Sequence, residues 1–334
     1  VGPVVGGLLI DAASWRWIFL VNLPIGVIGT MTAIRFVPNT KPRSTQRFDW
    51  PGAAVFFVAL LSLLAGLTYG QEAGFSDPLV VVAVLVAVVS LVAFIRIEQA
   101  ASHPMVDLTL FRNRNLSVNL FIGFLQFVSI AGVILILPFY LSDALGFSTR
   151  EVGLLLASIP ITLGVLAPVS GTLSDRLGTR LVTVTGLVVT ALGFGLAAFL
   201  YTTDTTVLQF VAAGLVIGAG FGLFQSPNNS AILGSVPQDR LGITSGMLTI
   251  NRITGQIVGI AVLGTIWATR TTAYAGGGTA ESADATAQAL GLRDTLVVVT
   301  LISIVGLVAA ILAWRRDLRD GISDRAHHRS GARS

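Results

Sequence analysis

Charge divides this chain: stretches without Asp, Glu, Lys or Arg follow one another along 334 residues, most of them about as long as a bilayer is thick. At about 1.5 Å of helical rise per residue, roughly 20 apolar residues cross the hydrocarbon. After a partial stretch at Val1–Ile10 they run Trp17–Ile34, Trp50–Gln71, Pro78–Ile95, Asn115–Ser142, Val152–Ser174, Leu181–Thr203, Thr205–Gln238, Leu241–Ala268 and Thr295–Trp314; only Arg252 interrupts one. The pattern predicts an all-α polytopic membrane protein with about nine full transmembrane helices and the remnant of another. Barrel strands are excluded because they are shorter and alternate in polarity.

Composition agrees, with 53% hydrophobic and 11% charged residues, against about 25% charged in a soluble domain. There is no cysteine, which removes disulfides, thiolate chemistry and Cys-based metal sites. His103, His327 and His328 fall in polar connecting or tail sequence, so no metal or other cofactor is expected. The net charge of +4 does not point to nucleic acid, because the basic residues gather at the edges of the spans. The expected partner is the lipid bilayer.

Those edges also predict orientation, since Lys and Arg accumulate in cytoplasmic connections. Arg35, Lys41, Arg43, Arg47, Arg96, Arg112, Arg114, Arg176, Arg180, Arg240 and the tail arginines from Arg315 to Arg333 share one side; Arg16, Arg150, Arg270 and Arg293 lie on the other. The C-terminus is therefore expected in the cytoplasm. The opposite connection Thr269–Asp294, rich in Gly, Ala and Thr, reads as a flexible loop.

Three segments carry a family resemblance. Gly2-Pro3-Val4-Val5-Gly6-Gly7 precedes Trp15-Arg16-Trp17-Ile18-Phe19-Leu20-Val21-Asn22-Leu23-Pro24-Ile25-Gly26, and together they resemble the end of the fifth helix and the opening of the sixth in 14-helix drug:proton antiporters of the major facilitator superfamily. Pro104-Met105-Val106-Asp107-Leu108-Thr109-Leu110-Phe111-Arg112-Asn113-Arg114 is similar to the segment leading into that group's C-terminal bundle. Gly171-Thr172-Leu173-Ser174-Asp175-Arg176-Leu177-Gly178-Thr179-Arg180 resembles the C-terminal copy of the family's loop motif, with Thr179 where arginine is usual. The resemblance implies a partial major facilitator fold. Residues 1–49 would be the last two helices of the N-terminal bundle with a cytoplasmic connection, 50–97 a two-helix insert, 98–314 the C-terminal six-helix bundle and 315–334 a basic cytoplasmic tail. The chain opens at Val1 inside an apolar segment and reads as a fragment lacking the first four helices.

Candidate functional residues follow from these motifs and from polar groups inside spans. Gly2, Pro3, Gly6 and Gly7 would let helices approach closely and seal one face, or simply pack as small residues do. Gly171, Asp175, Arg176, Gly178 and Arg180 would form a cytoplasmic gate of ion pairs, or merely set topology. Polar residues inside a membrane are costly and therefore candidates for function. Arg252 is foremost, about 16 Å into its span, beside Asn251 and one turn before Gln256; it would face a central cavity or act as a pinned structural charge. Gln126 and Asn119 in one span, and Gln225, Asn228 and Asn229 around Pro227 in another, are further candidates; the alternative for Asn228 and Asn229 is that they cap a helix. Gly214, Gly218 and Gly222, and Gly255 and Gly259, mark close-packing faces. No acidic residue is read as lying deep in a span.

These readings imply no enzyme, since nucleophile–base pairs and nucleotide-binding loops are missing. They imply a secondary transporter in a bacterial inner membrane, exporting small amphipathic or hydrophobic compounds in exchange for protons by alternating access. The alternative on the same fold is a dedicated exporter of one metabolite, such as an antibiotic, amino acid or organic anion.

Overall fold

A computed structural model describes residues 14, 16–36, 49–74, 77–101, 104–106, 108–280 and 282–319. Within these the chain is helical: α1 (Trp17–Leu20), α2 (Asn22–Phe36), α3 (Trp50–Ala73), α4 (Pro78–Ala100), α5 (Arg114–Phe139), α6 (Thr149–Leu156), α7 (Ser158–Leu177), α8 (Thr179–Leu200), α9 (Val207–Leu233), α10 (Leu241–Ala275) and α11 (Ala285–Arg319). Eight segments among the described residues are long and apolar enough to cross a membrane: α3 (as Trp50–Gly70), α4, α5 with the π-turn after it (Arg114–Ala144), α6 with α7 (Thr149–Leu177), and each of α8 to α11.

The predicted span Trp17–Ile34 is not among them. The helix breaks at Val21, leaving α2 with 15 residues, about 22 Å. Pro24 explains the break, since it has no N–H to donate to the Leu20 carbonyl four residues back. Pro160 acts likewise on Leu156, where α6 gives way to α7. The predicted remnant Val1–Ile10 lies outside the described residues.

The expected flexible loop Thr269–Asp294 is also mostly helix. α10 continues to Ala275 and α11 begins at Ala285, so only a short link remains, turned by Gly276, Gly277 and Gly278 at positive φ. Arg270 donates through Nε to Asp294 Oδ2 at 2.7 Å, and Tyr274 donates to the same oxygen at 2.8 Å. This cluster ties the two helix ends together.

Small residues bring the long helices into backbone contact. α5 packs on α10, α9 lies between α7 and α8, and α11 rests on α5, α8 and α10. A Cβ on Gly186 would stand 2.6 Å from the Phe224 nitrogen, and one on Gly193 would stand 2.8 Å from that of Ile217, so α8 and α9 meet at main-chain distance. Gly218 and Gly259 would collide with the carbonyls of Ile159 and Val128, and Gly255 approaches Phe124 and Phe127. The expected close-packing faces are real. In lipid, where apolar side chains gain nothing by leaving solvent, this van der Waals fit replaces the hydrophobic effect as the source of helix association. The α3–α4 hairpin packs separately and touches α10 through α3.

Candidate functional site

Gly123 of α5 marks a polar crossing of three helices. Asn251 of α10 donates from Nδ2 to the Leu120 carbonyl at 3.1 Å. From α9, Asn228 donates to the Asn119 carbonyl at 3.3 Å. Asn119 in turn donates to the Asn115 carbonyl one turn earlier, at 2.8 Å. A Cβ on Gly123 would lie 3.3 Å from both the Asn228 and Asn251 nitrogens, so glycine leaves the room the two amides use. Asn228 is 2% exposed and sits within α9, which runs on to Leu233. It therefore clamps two helices rather than capping one.

Beside this crossing is an open pocket of about 240 Å³ lined by the α3–α4 hairpin, the turn before α5, α5 itself and α10. Its walls are largely aromatic and aliphatic: Phe56 and Phe94, whose ring centroids are 4.9 Å apart, face Phe124 and Met247. Asn251 and Thr254 add polar groups, and Thr254 Oγ1 is buried without a hydrogen-bond partner. An apolar pocket with a few fixed polar groups suits a small amphipathic molecule.

The structure separates the polar residues expected to share one cavity. Successive helical residues turn by about 100°, so Asn251 points inward while Arg252 is exposed. Gln256 is exposed as well, on the stripe of α10 that includes Ser245, Gly246 and Thr249. Arg252 has no ion-pair or hydrogen-bond partner among the described residues. Gln126 is fully buried with both amide atoms unpartnered, in the seam between α5 and α11, where a Cβ on Gly306 would come within 3.7 Å of its Nε2. Gln225 on α9 is half-buried and outside the cavity walls.

The loop motif forms the turn between α7 and α8. Gly178 adopts φ +88° and its N–H donates to the Ser174 carbonyl at 2.9 Å, a conformation that favours glycine. Gly171 lies deeper, where a Cβ would be 3.5 Å from Ser226 Oγ of α9. Asp175 and Arg176 are exposed and form no ion pair with a described residue, so the expected network within the motif is not formed. Arg180 instead reaches Asp317 of α11 at 2.8 Å and donates to Asn115 Oδ1 of α5. Gly2, Pro3, Gly6 and Gly7 lie outside the described residues.

A buried acid lies near the end of one span, outside the stretch Pro78–Ile95. Glu98 is 3% exposed near the end of α4. Its Oε2 accepts from the Val106 N–H at 3.0 Å, while Oε1 has no hydrogen-bond partner among the described residues. Asp49 caps α3 by accepting from the Gly52 N–H at 2.9 Å, and its other oxygen is likewise buried and unpartnered. A Cβ on Gly52 would be 2.5 Å from Asp49 Oδ2 and 3.1 Å from Glu98 Oε1, so both free oxygens face the same methyl-sized space. Arg96 hid this residue by closing the uncharged stretch at Ile95. The signal was present in the spacing: Val80, Ala87, Phe94 and Glu98 form one buried stripe of α4.

Known proteins resemble this chain in fold or in sequence. A solved structure of the nucleoside transporter NupG, in a mutant form, aligns over 93% of this chain and 80% of its own with a TM-score of 0.51 at 15% identity, a likeness of fold. The uncharacterized transporter YebQ of Escherichia coli K12 is 35% identical over 266 residues, covering 78% of this chain and 57% of that protein. The multidrug resistance protein Stp of Mycobacterium tuberculosis H37Rv is 30% identical over 267 residues, 80% of this chain and 49% of its own. The riboflavin transporter RibZ of Clostridioides difficile is 29% identical over 269 residues, 80% of this chain and 57% of its own. This chain thus spans about half the length of the curated relatives it matches. Residues 119–330 match the model of the Major Facilitator Superfamily, and the chain belongs to that superfamily.

Proposed function

We propose that the full-length protein is a secondary transporter of a bacterial inner membrane that exports small amphipathic or hydrophobic compounds in exchange for protons, by alternating access. The observation that carries this reading is the aromatic cavity of about 240 Å³ with Asn251 and Thr254 in its wall. Its size and mixed lining suit partition of an apolar body with one or two hydrogen bonds. The multidrug name of the Mycobacterium tuberculosis relative supports the same substrate class. In this reading residues 50–97 are an insert, 98–314 the C-terminal bundle, and the arginine-rich end faces the cytoplasm. The exposed Arg252 and Gln256 stripe is a surface that takes part in rocking against the N-terminal bundle.

A second reading, a dedicated exporter of one anionic or zwitterionic metabolite, draws on Arg252, a cation without a partner among the described residues, and on the riboflavin name of one relative. Both are tested by substrate-driven proton flux in inverted vesicles carrying the full-length protein. Proton release on adding lipophilic cations, weakened by Asn251→Leu, is the expected result. A response to flavins or organic anions alone, abolished by Arg252→Ala, would select the metabolite exporter. No proton flux with either class would sink the antiport mechanism.

A further inference from the structure

At the end of the molecule where α5 and α8 begin and α11 ends lies a cleft of about 350 Å³. Three helices each send an arginine to it: Arg114 opens α5, Arg180 is in the first turn of α8, and Arg316 is in the last turn of α11. The only carboxylate among the described residues of its wall is Asp317, already engaged by Arg180 at 2.8 Å. Arg114 and Arg316 are exposed and have no ion-pair partner among the described residues. Among the described residues, the cleft therefore carries two guanidinium charges without a paired carboxylate. The positive ends of the α5 and α8 dipoles add to them, and the negative end of α11 offsets part of that. Val118, one turn inside the start of α5, and Ala313, nearly two turns inside the end of α11, supply apolar wall toward the membrane interior.

We infer that this cleft binds the phosphate of an anionic phospholipid headgroup. Basic residues that only set topology have no reason to converge from three helices on one concavity. A phosphate, with more acceptor oxygens than a carboxylate, can accept from two guanidinium forks at once. The position at the ends of membrane-length helices, charge outward and apolar wall inward, is where a lipid presents phosphate above its acyl chains. Bound there, the headgroup would bridge α5, α8 and α11. Inorganic phosphate shares this chemistry and is the alternative source.

The test is lipid binding to the purified full-length protein by native mass spectrometry, with thermal melting in nanodiscs of phosphatidylcholine alone or with phosphatidylglycerol. Phosphatidylglycerol should raise the melting temperature and remain bound. Arg114→Gln with Arg316→Gln should weaken binding about thirtyfold, at about fivefold per arginine. Arg315→Gln with Arg319→Gln, which removes the same charge from the same end outside the cleft, should leave binding within about twofold, a margin smaller than one arginine contributes. Arg114→Lys with Arg316→Lys serves as the check on folding and should retain part of the affinity. Unchanged lipid binding in the cleft variant, or equal loss in the control pair, overturns the site. Stabilisation by millimolar inorganic phosphate without any lipid effect overturns the lipid assignment.

Discussion

Arg180 and Asp317 join the first turn of α8 to the last turn of α11, with Nη2 2.8 Å from Oδ2, although 137 residues of sequence separate them. Both side chains are partly exposed, so solvent screens the pair and its worth is small. A double-mutant cycle with Arg180→Ala and Asp317→Ala should give a coupling of about 0.5–1 kcal/mol that shrinks at high salt. Strict additivity of the two melting shifts would show that the contact contributes nothing.

Gly259 and Gly246 lie on the same helix and should respond oppositely to alanine. A methyl at Gly259 meets the backbone of Val128, which cannot rotate away, whereas nothing lies within 4 Å of one at Gly246. Gly259→Ala is expected to destabilise by about 1–3 kcal/mol. In the 334-residue chain, without the N-terminal bundle over this stripe, Gly246→Ala should be neutral or stabilise by up to about 1 kcal/mol through helix propensity. Thermal unfolding in detergent decides it, and equal behaviour of the two variants would contradict the α5–α10 packing.

Glu98 offers a sharper contrast. Glu98→Gln retains an acceptor for the Val106 N–H and removes a negative charge facing Asp49 across Gly52. Its melting temperature at neutral pH should rise. Glu98→Leu leaves the buried Val106 N–H without its acceptor and should cost about 1–3 kcal/mol. A fall with glutamine as large as that with leucine would mean that the two carboxylates do not oppose each other.

Much of the architecture was legible in sequence because the bilayer imposes a length on anything that crosses it. Eight of nine expected spans are present among the described residues, and the glycine runs at 214, 218 and 222 and at 255 and 259 do mark backbone contact. The exception, Trp17–Ile34, is divided at Val21 into α1 and α2, three residues before Pro24, so neither helix alone reaches spanning length among the described residues.

The candidate site was less legible, and the reason is the solvent. In water a helix shows its buried face by apolar periodicity, but lipid is as apolar as a neighbouring helix, so a membrane helix can be apolar all round whichever side is covered. Charge spacing therefore determined, from sequence alone, the spans and their order. Only packing decided that Asn251 faces the aromatic cavity while Arg252, one residue on, faces outward; that Gln126 lies in the α5–α11 seam; and that Glu98 and Asp49 meet over Gly52. Each outcome turns on a rotation of about 100° or on contact between distant segments, quantities that a linear pattern of charged and uncharged residues does not encode.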